Sequence, residues 1–456
     1  MNFLISLPPM KRIVLLTLCV AIVVGGCIVL FTPAFERKPP QFVLPPEGTY
    51  LGAKATIEIG LRDKPAGLKE VSVSLLQRGK VWKLLTESFP PGVKEKVISL
   101  SVEPKKLGLR EGKAYLVVEA RDRSLWMFGR GNRAYAQVEV QVDFTPPWVE
   151  LLASTRYVYF NGAAAALFRT SHDAVKAGVR VGDLFFKAYP KEQRDGFLWA
   201  VLFGIPQYAG AKEPLLVAQD RAGNSRVIPV PVRLLPRKVV EERVSLSDRF
   251  LRQRVYPLLP AEKADVPPEE AFKFVNEEMR AKDEAFLTEA ASRSGPQPLW
   301  QGPFIQMPNS KVTATFGDKR TYFYKGKVIG RSIHLGYDLA SVANAPIPAA
   351  NRGRVIFTGF VGIYGNVVIL DHGLGLTSLY AHLSRWTVEE GEEVEKGQVI
   401  GYTDSTGLAG GDHLHYAVLL SGHPVNPVEW WDGKWLRERI IAVINPFLTE
   451  DDLEGN

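Results

Sequence analysis

The chain has 456 residues, room for about three domains at roughly 150 residues each. Hydrophobic residues make up 46% and charged residues 23%, which excludes an acidic disordered tail and a collagen-like or low-complexity chain. The formal charge of +7 is a mild excess with no run of five or more basic residues, so it fits an anionic partner and a plain basic surface equally. Two cysteines exclude a disulfide-rich scaffold and any cysteine-based structural zinc cluster.

Residues 13–31 form an uncharged apolar run, preceded by Lys11 and Arg12 and followed by Glu36, Arg37 and Lys38. As a helix at about 1.5 Å per residue it would span roughly 28 Å, close to a bilayer's hydrocarbon core. It exceeds the roughly 7–15 apolar residues of a removable signal peptide, so residues 1–40 are expected to be a cytoplasmic tail and an N-terminal transmembrane anchor. Val24-Gly25-Gly26-Cys27 loosely matches a lipoprotein cleavage box, but Ile28-Val29-Leu30-Phe31 continues the apolar stretch past the cysteine. No cysteine follows Cys27, so the exported part makes no disulfide of its own.

Residues 41–236 read as β. Short β-branched segments such as Thr56-Ile57-Glu58-Ile59 and Val71-Ser72-Val73-Ser74-Leu75 are punctuated by Pro, Gly and Asp. Phe42-Val43-Leu44-Pro45-Pro46 is echoed by Phe144-Thr145-Pro146-Pro147, and Ala120-Arg121-Asp122-Arg123 by Ala218-Gln219-Asp220-Arg221. The offset of about 100 residues is one immunoglobulin-like domain, which predicts two such sandwiches, 41–143 and 144–236. They serve as a scaffold or a spacer. Residues 237–299 predict a helical linker, with helices over 244–255 and 267–291. Phe272, Val275, Met279 and Phe286 recur there at helical spacing and should pack on a neighbour. Asp265 is placed to cap the second helix. The same segment could act as a pro-segment over an active site. Residues 300–432 return to a glycine-rich β pattern, and 433–456 form a C-terminal tail whose Trp435 and Ile440-Ile441 should pack on that domain.

Six of the seven histidines lie between His334 and His423. Imidazole is the commonest nitrogen ligand and titrates near neutrality, so the cluster is a metal or catalytic candidate. His334 and Asp338 are four apart in a segment that reads as a strand and bend. His413-Leu414-His415 opens a strand, and period two puts both imidazoles on one face. Both could bind one metal, or one could bind while the other acts on bound water. Two histidines and an aspartate make a three-ligand site, with zinc the leading candidate and other divalent metals open, and one position left for water whose pKa the metal can lower to about 7. His372 reads as a hairpin-end residue that orients a loop, His423 as a turn residue, His172 as a surface residue, and Asn366 as support for a turn.

The segment from about Thr313 to Trp431 resembles the catalytic domain of lysostaphin-type (LytM-type) zinc endopeptidases, which cut peptides in bacterial peptidoglycan. The residues that carry the resemblance are H-L-G-Y-D-L-A at 334–340, Y-G-N-V-V-I-L-D-H-G at 364–373, L-Y-A-H-L-S at 379–384, V-E-K-G-Q-V-I-G at 394–401, S-T-G at 405–407, H-L-H-Y at 413–416 and N-P at 426–427. The resemblance implies a folded antiparallel sheet with a groove across it, and one zinc on His334, Asp338 and His415. It implies His382 and His413 as the catalytic histidines, without saying which is the base. The family also uses a tyrosine near the site, but none of Tyr322, Tyr324 and Tyr337 matches by motif.

The expectation is therefore a mainly β, single-pass membrane protein of the bacterial cytoplasmic membrane, with its catalytic part in the periplasm or outside the membrane. Its partners would be peptidoglycan and the membrane, with no nucleic acid; cell-division or wall-synthesis proteins are unspecified. The alternatives are a non-catalytic regulator of wall hydrolases built on the same domain, and a β-rich adhesive protein with an incidental histidine cluster.

Overall fold

The computed structural model describes residues 9–30, 32, 35–206 and 212–449. The expected cytoplasmic tail lies, over residues 1–8, outside the described residues, as do residues 450–456 of the C-terminal tail. The chain divides into two compact units, 1–146 with 221–224, and 147–220 with 225–456.

In the first unit the apolar run is helical over Pro9–Leu30. Among the described residues no helix is long and apolar enough to cross a membrane. The described side chains of its uncharged part cover residues 13–27, about 22 Å of helix against a hydrocarbon core of about 30 Å. Two sheets follow. One orders Gln41–Val43, Ala55–Arg62 and Glu95–Val102; the other orders Thr49–Leu51, Arg133–Val142, Gly112–Asp122, Leu68–Gln77 and Lys80–Ser88. Alternate residues of each, Ile57, Ile59 and Ile98 from one and Val73, Leu75, Leu116 and Val140 from the other, meet in a single core. The period-two burial that builds a sandwich is visible along Leu68–Gln77.

The second unit carries two four-stranded sheets over residues 149–229 and a ten-stranded antiparallel sheet among residues 311–425. The larger sheet is buried on both faces, and its strand periodicity sorts side chains between two cores. In Leu414–Leu420, residues Leu414, Tyr416, Val418 and Leu420 join Phe203, Trp430, Leu436 and Ile440. Ala417 and Leu419 point the other way and join Phe272, Val275 and Leu287. His415 shares the face of Ala417, so the helical segment and the histidines cover the same side of the sheet.

That segment differs from its sequence reading in two ways. Residues 244–246 are not helical: Glu241–Leu246 is a strand paired in parallel with Lys319–Tyr324. Local charge hid it, because a strand is completed by a partner nearly eighty residues on. The first helix starts only at Asp248–Phe250, where Ser247 Oγ accepts from the Phe250 amide at 3.1 Å. Asp265 caps nothing: the second helix opens at Pro268–Lys273 with Pro267 in the cap position and no side-chain cap, and Glu269 and Glu270 in the first turn favour the helix dipole instead. The apolar stripe does pack on neighbouring strands, with ring centroids 4.8 Å apart for Phe272 and Tyr322 of Lys319–Tyr324 and 4.9 Å for Phe286 and Phe357 of the ten-stranded sheet.

Candidate metal centre

Strand register brings the first two candidate ligands together. Tyr337–Ala340 pairs with Leu414–Leu420 so that Asp338 faces His415. His334 lies just before that strand, and its main-chain N–H donates a hydrogen bond to the Asp318 carbonyl at 2.9 Å. The result is a tight triangle. His415 Nδ1 is 2.9 Å from Asp338 Oδ1, His334 Nε2 is 3.0 Å from that oxygen, and the two ring nitrogens are 3.1 Å apart.

Hydrogen bonds fix how these groups present themselves. His334 Nδ1–H donates to the Thr315 carbonyl at 2.9 Å, so Nε2 of the neutral ring carries a lone pair. Burial pushes His415 down to about 4, which keeps it neutral at pH 7. Burial by itself would raise Asp338, but His334, His413 and His415 facing it hold its carboxyl well below the usual range. The His334 Nε2 lone pair, the His415 Nδ1 and a carboxylate oxygen therefore converge on one point. Tetrahedral zinc with bonds of about 2.0–2.1 Å would separate its ligand atoms by about 3.3 Å, close to the observed triangle. A nitrogen, nitrogen and oxygen donor set with no thiolate suits zinc. His334, Asp338 and His415 are thus a candidate metal site by their own geometry.

The two remaining histidines flank the triangle. His413 forms a bridge with Asp404 just before the strand; its Nδ1–H donates to the Gly411 carbonyl at 2.8 Å, and its Nε2 lies 3.5 Å from Asp338 Oδ1. Burial opposes its protonation, but Asp338 outweighs it and raises the His413 value. His382 is placed by a bulge. Opposite Gly365–Gly373, the register of Leu376–Trp386 slips by one residue between Tyr380 and Leu383, and His382 has φ of 64°. Ala381 faces the helical side of the sheet, so unbroken alternation would send His382 to the other face. The bulge re-aims it. Its Nδ1–H donates to the Thr406 carbonyl at 2.7 Å, and burial pushes it down to about 3. Ring centroids are 4.9 Å apart for His382 and His413.

A cleft of about 620 Å³ opens over these groups. One wall comes from the strand Glu241–Leu246 and from Phe250, the other from the 408–413 loop. The five residues singled out in the sequence are all present here. Several neighbours were not legible. Arg320 Nη2 lies 3.2 Å from Asp338 Oδ2 and its Nε 3.1 Å from Glu242; no motif announces it. Tyr364, with its ring centroid 5.7 Å from that of His415, is buried and its hydroxyl value is pushed up by burial. It opens the Y-G-N stretch, a signal that was in view without being read as part of a site. Thr315 and Thr406 act through carbonyls, which no side-chain pattern reveals. Of the other histidines, His372 is enclosed: its Nδ1–H donates to the Arg352 carbonyl and its Nε2 is hydrogen-bonded to Ser378 Oγ, both at 2.7 Å. His172 is exposed, and His423 begins the short strand His423–Val425 against Phe186.

A sheet groove with a three-ligand, nitrogen- and oxygen-only candidate site and two flanking imidazoles is an arrangement suited to metal-assisted chemistry on water. Residues 332–427 match peptidase family M23. Over 120 residues the chain is 40% identical to the DD-carboxypeptidase/endopeptidase Mpg of Neisseria meningitidis serogroup B, covering 26% of this chain and 25% of that protein. Over 119 residues it is 32% identical to the peptidoglycan DD-endopeptidase ShyA of Vibrio cholerae serotype O1, covering 26% and 27%. The chain spans about a quarter of the length of the curated relatives it matches. Among solved structures, a putative peptidase M23 from Pseudomonas aeruginosa aligns with 60% of this chain and 95% of its own, at 21% identity and a TM-score of 0.37.

Proposed function

We propose that the chain is a membrane-anchored zinc metalloendopeptidase that hydrolyses peptide bonds in peptidoglycan, in stem peptides or cross-links. The observation that carries this reading is the convergence of His334 Nε2, Asp338 Oδ1 and His415 Nδ1 within 3.1 Å, with His382 and His413 beside them in one cleft. The M23 match over the same residues supports it, and the two relatives' names supply the substrate class. The anchor rests on the uncharged run 13–31 and the helix Pro9–Leu30. It would put the catalytic unit on the outer face of the cytoplasmic membrane, with the β-units as spacer.

His334, Asp338 and His415 would hold the zinc. When bound, zinc supplies Lewis acidity, lowering the pKa of water in its open position toward about 7 and polarising a carbonyl oxygen. His382 and His413 both line the cleft, and each commits Nδ1–H to a backbone carbonyl, which leaves Nε2 to work. One of the two takes the proton from water as its oxygen bonds to the peptide carbon. The same proton goes to the leaving amine as the C–N bond breaks. The other, when protonated at both ring nitrogens, donates from Nε2–H to the charged oxygen of the tetrahedral species. The Thr406 and Gly411 carbonyls hold Nδ1–H in both rings, which leaves Nε2 of a neutral ring as the accepting lone pair.

The test uses the purified full chain, zinc content by elemental analysis, and digestion of purified peptidoglycan with product separation. One zinc per chain and released muropeptides are expected. Zinc without cleavage of several wall types would overturn the enzymatic reading in favour of a regulator of other hydrolases. No metal after zinc reconstitution would overturn both.

A further inference from the structure

The first unit holds a carboxylate cluster of its own. Glu36, Asp63 and Asp122 each offer an oxygen, and these atoms lie within 4.8 Å of one another. They come from three separate segments: Glu36 from the chain that follows the N-terminal helix, Asp63 from the end of Ala55–Arg62, and Asp122 from the last position of Gly112–Asp122. Asp122 is fully buried and well held. Its Oδ1 accepts from the Ser124 and Asn132 amides at 3.0 and 2.7 Å, and its Oδ2 from Asn132 Nδ2 at 2.7 Å. Asp63 is different. It is 5% exposed, and its buried Oδ2 has no hydrogen-bond donor. That side chain faces Glu36 and Asp122; burial first, and then repulsion from these two carboxylates and a hydrogen bond shared with Glu36, push it up to about 7 against a hydrogen bond from the Gly67 backbone that lowers it. Among the described residues no cationic side chain is paired with any of the three.

We propose that Glu36, Asp63 and Asp122 form a calcium site. Three converging carboxylates with one orphaned buried oxygen are costly as they stand, and a cation between them removes both the repulsion and the missing partner. The donors are all oxygen, which selects a hard cation. Their irregular origin, from two strand ends and an extended segment, suits the flexible coordination of calcium better than the strict octahedron of magnesium. The backbone is built closely round the cluster. Gly131 has φ of +75°, and a Cβ there would fall 2.9 Å from Asp122 Oδ1. Glu36 is held by its carbonyl, which accepts from Ser124 Oγ at 2.6 Å and Asn132 Nδ2 at 2.9 Å, and its Oε2 accepts from the Ala66 amide at 3.2 Å. The ion would therefore clamp the segment leaving the helix onto the first sandwich.

The test is calcium binding by the purified full chain, stripped of metal, reloaded with zinc and dialysed against calcium at about pH 8, above the raised Asp63 value. One calcium per chain beyond the zinc is expected, with affinity at or tighter than the 10⁻⁴–10⁻³ M of extracellular modules, roughly. Asp63→Asn and Glu36→Gln should each lose that calcium while keeping the zinc, which reports that the second unit is folded. Glu36 is only half-buried, so its variant tests the site even if Asp63→Asn disturbs the sandwich. Unchanged calcium in both variants would overturn the assignment, as would no calcium retained at about 10 mM, tenfold above the weak end of that range. Equal displacement by magnesium would overturn the choice of ion. A wild type without calcium whose melting temperature rises in Asp63→Asn would mean that the carboxylates share a proton instead.

Discussion

Asp338 and His415 are register partners on adjacent strands, which is why Asp338 Oδ1 sits 2.9 Å from His415 Nδ1 with no loop between them to adjust. His382 and His413 reach the same cleft through a bulge and a strand end, and neither belongs to the triangle. The two pairs should therefore fail differently. His415→Ala and Asp338→Ala are expected to lose zinc and activity together. His413→Ala and His382→Ala are expected to keep zinc and lose about 10²–10⁴ in kcat, the usual range for general acid–base groups. Metal content and turnover measured on one preparation separate the cases. Loss of zinc from His382→Ala would move that residue into the ligand set.

Gly336 is required by the metal triangle rather than by turn geometry. A Cβ at this position would lie 2.5 Å from His415 Cε1, 2.6 Å from its Nε2 and 2.7 Å from the Tyr416 carbonyl. The ring is buried, so it has to move. Gly336→Ala should lower zinc affinity by about 10–100-fold, the scale of losses when a ligand's support is disturbed. Competition with a chromogenic chelator measures this, with circular dichroism to show that the sheet is intact. An affinity within about twofold of wild type would mean that His415 shifts freely.

The candidate residues were legible as a cluster because their spacing is local: His334 and Asp338 are four apart and His413 and His415 two apart, and the strand period puts the latter pair on one face, while the choice of which would hold a metal came from the family resemblance and not from spacing. The stripe at Phe272, Val275, Met279 and Phe286 was legible for the same reason. What the chain hides is non-local. Glu241–Leu246 becomes a strand only because Lys319–Tyr324 pairs with it. Arg320 matters only because folding sets it against Asp338. The bulge that aims His382 follows from a register slip against Gly365–Gly373, which no residue type at 381 or 382 signals.

His382 occupies left-handed backbone at φ 64°, a conformation that disfavours any residue with a Cβ. In a strand interior alanine is ordinarily more stabilising than glycine by about 0.5–1 kcal/mol. At this position the order should invert. His382→Gly is expected to be more stable than His382→Ala by about 1 kcal/mol, since both lose the same hydrogen bond and only alanine keeps the strain. Urea denaturation of the two variants gives the difference directly. A more stable alanine variant would show that the bulge relaxes once the imidazole is gone.

His372 is fully buried, and burial pushes its value down from 6.5 to about 4. Its Nδ1–H donates to the Arg352 carbonyl and its Nε2 is hydrogen-bonded to Ser378 Oγ, so it is burial away from water that disfavours the charged ring. The unfolded chain binds this proton below about pH 6.5 and the folded chain only below about 4, so stability falls as pH drops through that window. The loss should approach about 3 kcal/mol by pH 4. Replacing the ring by one that cannot titrate, as in His372→Phe, should cost stability at pH 7 through the orphaned Arg352 carbonyl. It should also flatten the slope of stability against pH between 4 and 6.5 by about one proton. Urea midpoints across that range, with zinc saturating, read the slope; an unchanged slope would mean that His372 is neutral for no energetic reason and that acid sensitivity lies elsewhere.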